Sequence, residues 1–151
     1  MSVAFRRDSD EEVKEPRFEL PIPAGQNLVT ARGLALIEAR IAELDAEHTA
    51  SADDARREEI ARDLRYWHTR RVTAIVAPTP PADMVAFGSR VRVAIDGAER
   101  TLQIVGDDEA DPAAGLIAFS APLARALTGA MEGEAVTLPG RAGPIEVMAI
   151  L

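Results

Sequence analysis

The chain holds 151 residues, with 17 Lys+Arg against 25 Asp+Glu and a formal net charge of −8. It has no cysteine and two histidines, His48 and His68, which excludes disulfides and thiolate metal sites and leaves too few ligands for most zinc sites. No stretch approaches the ~20 apolar residues of a membrane span, the N-terminus lacks a signal-type apolar run, and a pI near 4.8 argues against wrapping free nucleic acid. The expectation is a soluble, cytoplasmic protein. Apolar residues make up 47% of the chain, but 28 of them are alanine, too few large side chains for one compact core. Charge is also uneven. Residues 31–75 carry 9 acids against 8 bases, whereas residues 76–151 carry 10 acids against 5 bases. Two bodies of different character are expected.

Residues 1–27 read as an extended arm. Asp8, Asp10, Glu11, Glu12 and Glu15 repel one another, and Pro16, Pro21 and Pro23 block helices and ladders. Residues 28–77 read as an antiparallel helical hairpin. Thr30 is a good N-cap, and Leu34, Ile37, Ile41 and Leu44 follow at spacings of three, four and three, a narrow coiled-coil seam. The pattern decays at His48-Thr49-Ala50-Ser51. Ser51 then reads as a second N-cap with Asp54 three residues on, and Asp53 and Asp54 suit the positive end of a helix dipole. A second seam runs through Ile60, Leu64 and Trp67 toward Arg71 and Ile75. Trp67 is expected to pack at the hairpin base, and His68 beside it, like His48, reads as a packing or surface residue.

Residues 78–83, with Pro78-Thr79-Pro80-Pro81, form a stiff linker. Beyond it the period changes to two, and residues 84–151 read as a small antiparallel sheet with one short helix. Val91, Val93 and Ile95 alternate with polar or small residues, Asp96-Gly97 signals a hairpin turn, and residues 101–105 return. Residues 106–112 form an acidic loop, expected to be exposed. It lacks the alternating acids, central Gly and final Glu of a calcium loop. Leu116–Phe119 is a third strand, Pro122 opens a short helix ending near Gly129, and residues 135–138 and 145–151 supply the last hairpin.

Three stretches resemble the GreA/GreB transcript-cleavage factors of bacterial RNA polymerase. Leu28-Val29-Thr30-Ala31-Arg32-Gly33 resembles the family's opening of its first coiled-coil helix, with a leaning toward the GreB branch. Ile104-Val105-Gly106-Asp107-Asp108-Glu109-Ala110-Asp111 matches the signature I-V-G-D-D-E-A-D, and Pro122-Leu123-Ala124-Arg125-Ala126-Leu127 matches the segment S-P-x-A-R-[AG]-L with Ala121 in place of the usual Ser. Ala86-Phe87-Gly88 fits the family's approach to its first strand. The resemblance covers residues 28–151. It implies an α+β protein: an antiparallel coiled-coil hairpin that enters the polymerase secondary channel, then an FKBP-like domain that docks at the channel rim. It marks Gly106, Asp107, Asp108, Glu109, Asp111, Pro122, Ala124 and Arg125 as candidate partner-binding residues. Arg125 pairing with the acidic loop, or the loop maintaining the fold, is the structural alternative.

The hairpin tip departs from the family. Cleaving Gre factors carry G-D-x-x-E-N-A-[DE]-Y there, whose acids, the resemblance implies, help hold a second Mg²⁺ and a water at the polymerase active site. Residues 49–59 of this chain have acids but no Gly-Asp start, no Asn and no Tyr. Each arm also reads about ten residues shorter, ~15 Å less reach. Asp53 and Asp54 are therefore weak candidates for catalytic acids. The expected function is a polymerase-binding regulator of elongation, monomeric, with no stable cofactor or metal of its own, no sequence-specific DNA binding and no membrane. The alternative is a stimulator of RNA cleavage that uses the tip acids and the polymerase's Mg²⁺. A third reading is a peptidyl-prolyl isomerase, though no aromatic-lined pocket is legible in residues 84–151. No P-loop, nucleophile elbow or dinucleotide fingerprint is present.

Overall fold

A computed structural model describes residues 19–151. Most of the arm expected over residues 1–27 lies outside that range. Its last residue opens a strand, β1 (Asn27–Val29), whose other two residues fall in the segment read as hairpin, and Thr30 follows as the N-cap of α1 (Ala31–Ala50), its hydroxyl accepting from the Gly33 amide at 2.9 Å. α1 and α2 (Asp54–Thr73) pack as an antiparallel hairpin. At 1.5 Å per residue, each 20-residue arm is about 30 Å long. Ile37, Ile41, Leu44 and Ile60 are buried, and Leu34, Leu64 and Trp67 are half-buried on the same seam. Val29, Ile37 and Ile41 form a small core with Leu34, Leu64, Trp67 and Ala74 packed against it.

Two local expectations for the hairpin need correction. Ser51 ends α1, its amide bonded to the Glu47 carbonyl, and the N-cap of α2 is Asp53, whose carboxylate accepts from the Ala55 amide at 3.1 Å. The Ser51 hydroxyl accepts from the Asp53 amide, so a serine read as a cap supports the turn before the cap. The second seam also does not reach Arg71 and Ile75. α2 stops at Thr73, and β2 (Ala74–Val76) pairs in parallel with β1, matching Asn27 to Ala74 and Val29 to Val76. β-Branched residues at 72, 73, 75 and 76 favour an extended backbone once the apolar seam no longer holds the helix.

The second body is a five-stranded sheet in the order β5-β4-β3-β7-β6. It comprises β3 (Arg90–Ile95), β4 (Ala98–Val105), β5 (Leu116–Ala118), β6 (Ala135–Val136) and β7 (Ile145–Ile150), with α3 (Pro122–Leu127) packed against it. Asp96 and Gly97 both take positive φ, 52° and 78°, at the β3–β4 turn. The sheet is mixed rather than wholly antiparallel, because β5 pairs in parallel with β4. Residues 106–115 carry the chain from the end of β4 back to its middle, which lets β5 run in the same direction. Val91, Val93, Leu102, Ile104, Ile145 and Val147 supply the buried face, closed by Ala124 and Leu127 of α3. No helix among the described residues is long and apolar enough to cross a membrane.

A narrow seam makes each of its side chains matter. Leu44→Ala is expected to cost about 2–5 kcal/mol, since it opens a cavity at a fully buried position. Leu36→Ala, on the exposed side of the same helix, is expected to change stability by less than about 0.5 kcal/mol. Urea unfolding followed by helical circular dichroism compares the two, and equal losses would refute the seam.

Candidate functional site

The acidic signature lies at the hairpin base, between the two bodies. Ile104 and Val105 end β4 inside the sheet core or beside it. Gly106 then passes so close to β1 that a Cβ would stand 2.5 Å from the Leu28 carbonyl oxygen. Only glycine fits without displacing backbone.

The next residues reach both helices of the hairpin. Glu109 is buried, its side chain 2% exposed. Its Oε1 accepts from the Thr30 hydroxyl at 2.5 Å and its Oε2 from Arg32 Nη1 at 2.9 Å. Thr30 thus accepts from the Gly33 amide and donates to Glu109, linking the helix N-terminus to a carboxylate of the other body. α1 has no acid in its own first turn, so Glu109 supplies the negative charge that its dipole favours. A Cβ at Gly33 would lie 2.9 Å from Glu109 Oε1, so a larger residue there would push on this carboxylate.

Asp108 engages the far end of α2. Arg70 Nε donates to its Oδ2 at 2.6 Å, with side chains 2% and 9% exposed, and the Tyr66 hydroxyl donates to its Oδ1. Tyr66 also stands edge-on to Trp67, with centroids 5.0 Å apart. Burial and the adjacent Asp108 carboxylate raise the Tyr66 phenol well above its ordinary value of 10.0. Asn27 of β1 completes the corner: its Nδ2 donates to the Arg70 carbonyl at 2.7 Å and to the Thr73 hydroxyl at 3.2 Å.

The loop is therefore not the exposed acidic turn expected from its composition. Gly106 and Glu109 are buried, and Asp107 and Asp108 are half-buried. Nor does Arg125 pair with it. Asp107 accepts from the Ser120 hydroxyl at 2.5 Å, while Asp108 and Glu109 are taken by hairpin residues. Asp111 is exposed and bridges to Leu116 through its backbone. Sequence reading missed Asn27, Tyr66 and Arg70. The available signal was that Tyr66 and Arg70, at i and i+4, share a helix face off the Ile60–Leu64–Trp67 seam.

Of the second motif, Pro122 is exposed at the first position of α3 and Ala124 is fully buried in the sheet core, while Arg125 is exposed. Arg125 lines an open groove of about 330 Å³ with Leu28, Phe87, Ile104, Phe119 and Thr128. Phe87 and Phe119 meet edge-to-face at 5.4 Å. This aromatic pair is not legible in the sequence, since its members stand 32 positions apart. The groove lies where the sheet domain meets β1.

At the other end of the hairpin, Asp53 caps α2 and is exposed. Arg56 crosses the turn to Glu47 at 2.5 Å and reaches Glu59 along α2 at 3.1 Å. Asp54 borders a shallow cleft with His48, Arg57, Glu58 and Ala61. His68 Nδ1 lies 3.4 Å from Arg71 Nη2.

Gly106→Ala is expected to destabilise the protein by about 1–3 kcal/mol through the forced separation of β4 and β1, read as a lower urea midpoint. A neutral result would refute the close approach. Stability is also expected to fall as pH rises above 10. There the unfolded phenol ionises while folded Tyr66 keeps its proton, so the unfolded state binds fewer protons. Tyr66 is the only tyrosine, so tyrosinate absorbance reports it directly, and Tyr66→Phe is expected to flatten the alkaline loss.

Residues 80–151 match the family model described as the C-terminal part of the transcription elongation factor GreA/GreB. Across 148 residues the chain is 34% identical to the transcription elongation factor GreA of Pseudomonas aeruginosa, covering 97% of this chain and 91% of that one. It is 39% identical over 104 residues to GreA of Vibrio parahaemolyticus, covering 66% of each. Among solved structures, GreA factor homolog 1 of Thermus thermophilus aligns with 84% of this chain and 99% of its own at 16% identity and a TM-score of 0.40. The leaning toward GreB rests on residues 28–33 alone, and the sequence relatives named here are GreA proteins. The identity and coverage with the Pseudomonas protein show that the chain belongs to the GreA/GreB family of transcription elongation factors.

Proposed function

We propose that this protein binds bacterial RNA polymerase at its secondary channel, as a cytoplasmic monomer, and modulates elongation without stimulating RNA cleavage. The observation that carries the non-cleaving reading is the state of the tip carboxylates. Asp53 is spent on the amide at the start of α2, and Glu47 and Glu59 hold Arg56 between them. Carboxylates that help fix a metal ion must offer oxygens to it, and those engaged with amides and guanidinium groups offer fewer. The protein is then no enzyme itself, and any chemistry belongs to the polymerase and its Mg²⁺.

The groove beside α3 is the proposed docking surface. Its floor of Leu28, Phe87, Ile104 and Phe119 suits an apolar segment of the polymerase, and Arg125 on its edge suits an acidic neighbour. Arg125 and Thr128 are exposed, so the groove is open along one side, which suits a protein surface better than the enclosure of a single prolyl ring. The intramolecular contacts of residues 106–109 make them supports of this surface.

The test uses a backtracked polymerase complex with labelled RNA. The protein is expected not to accelerate cleavage and to compete with a cleaving GreA for the complex. Arg125→Glu is expected to weaken that competition at least about tenfold, or about 1.4 kcal/mol. Accelerated cleavage that disappears in Asp53→Ala and Asp54→Ala would establish the cleaving alternative, and failure to bind polymerase would remove both readings.

A further inference from the structure

The floor of the groove beside α3 does not end at β1. β1 and β2 form a two-stranded parallel ladder in which Leu28 stands opposite Ile75. Side chains alternate between the two faces of such a ladder. On β1, Asn27 and Val29 turn to the hairpin: Asn27 is bonded to the Arg70 carbonyl and the Thr73 hydroxyl, and Val29 lies in the core with Ile37 and Ile41. Leu28, between them, turns the other way and lines the groove. On β2, Ala74 packs against the hairpin core, so Ile75, the next residue, shares the face of Leu28. Neighbouring strands lie about 4.8 Å apart, so Ile75 extends the apolar floor by the width of one strand.

Two observations set Ile75 apart from a scattered exposed apolar residue. It is 47% exposed and belongs to neither apolar core, so packing within the chain does not account for it. Its ladder partner Leu28 also sits on the joint between the two bodies, where the Leu28 carbonyl leaves no room for a Cβ at Gly106. The apolar surface of Phe87, Phe119, Leu28 and Ile75 therefore crosses from the sheet domain to the base of the hairpin without a break in the backbone beneath it. Val72 is more exposed, at 78%, but borders a separate cleft on α2 with His68, Thr69 and Thr73.

We propose that Ile75 is a polymerase-binding residue: the apolar polymerase segment that fills the Phe87–Phe119 groove also covers Ile75, so one partner segment is seated on both bodies at once. This rests on the polymerase-binding reading above and adds the hairpin side of the surface. Apolar contacts at the centre of an interface carry much of its affinity, and Ile75 places one of them on the element that ends α2. A segment seated across the joint touches the hairpin base and the sheet domain together, so docking also fixes the direction in which the hairpin points.

The test measures competition of the full chain with a cleaving GreA for a backtracked polymerase complex. Ile75→Lys is expected to weaken competition at least about tenfold, and Ile75→Asn at least about threefold, with the urea midpoint unchanged because the side chain is outside both cores. Ile75→Val, which keeps the apolar contact, is expected to stay within about twofold of the parent protein, as is Val72→Lys. Full competition by Ile75→Lys, a loss in Ile75→Lys but none in Ile75→Asn, or an equal loss in Val72→Lys would each overturn the proposal while leaving the polymerase reading in place. Failure of the parent protein to compete would remove that reading and this one together. Sedimentation of the free protein gives the last arm: a dimer that Ile75→Lys dissolves would assign the strip to a second copy of the chain and overturn the proposal.

Discussion

Two adjacent carboxylates, Asp108 and Glu109, stand between the ends of two helices and decide how the hairpin is set on the sheet. Glu109 meets the start of α1 through Thr30 and Arg32, and Asp108 meets the end of α2 through Tyr66 and Arg70. A buried ion pair is a poor source of net stability, because desolvation offsets most of the attraction. Its removal by half is costly, since one charge is then left in an apolar corner. Arg70 sharpens the point: its Nη2 and Asn27 Oδ1 are buried without partners among the described residues. The corner therefore looks arranged for a particular orientation more than for maximal stability. Hydrogen bonds to both helix ends specify a direction in a way that apolar packing of the same area does not.

That orientation links the groove to the hairpin. The groove with Phe87, Phe119 and Arg125 borrows Leu28 from β1, so its floor exists only while the bodies are joined. The tip lies about 30 Å away along two helices held by few large side chains. A narrow seam gives a slender rod.

Local signals that depend on neighbouring residues were legible. The Thr30 cap, the first apolar seam, the Asp96-Gly97 turn, the helix opened by Pro122 and the α+β order of parts all appear as expected. Errors arose where two segments distant in sequence compete for the same backbone. β2 could not be recognised without β1, because three residues make a strand only when a partner supplies the hydrogen bonds. The parallel β4–β5 pair was hidden for the same reason. Asp53 displaced Ser51 as the cap because the turn uses the serine hydroxyl for its own amide.

The candidate site divides along the same line. By itself the sequence determined which residues are unusual: an uninterrupted run of acids after a glycine, a short apolar helix with one arginine, and a tip with acids but no Gly-Asp pair, Asn or Tyr. Only the tertiary structure decided what they face. Asp108 and Glu109 look solvated in sequence because acids usually are, yet they lie inward because Thr30, Arg32, Tyr66 and Arg70 come from 38 to 79 residues away to meet them. Charge is a property of a residue and can be read from its letter. The burial of that charge, and the partner that makes burial tolerable, belong to the fold.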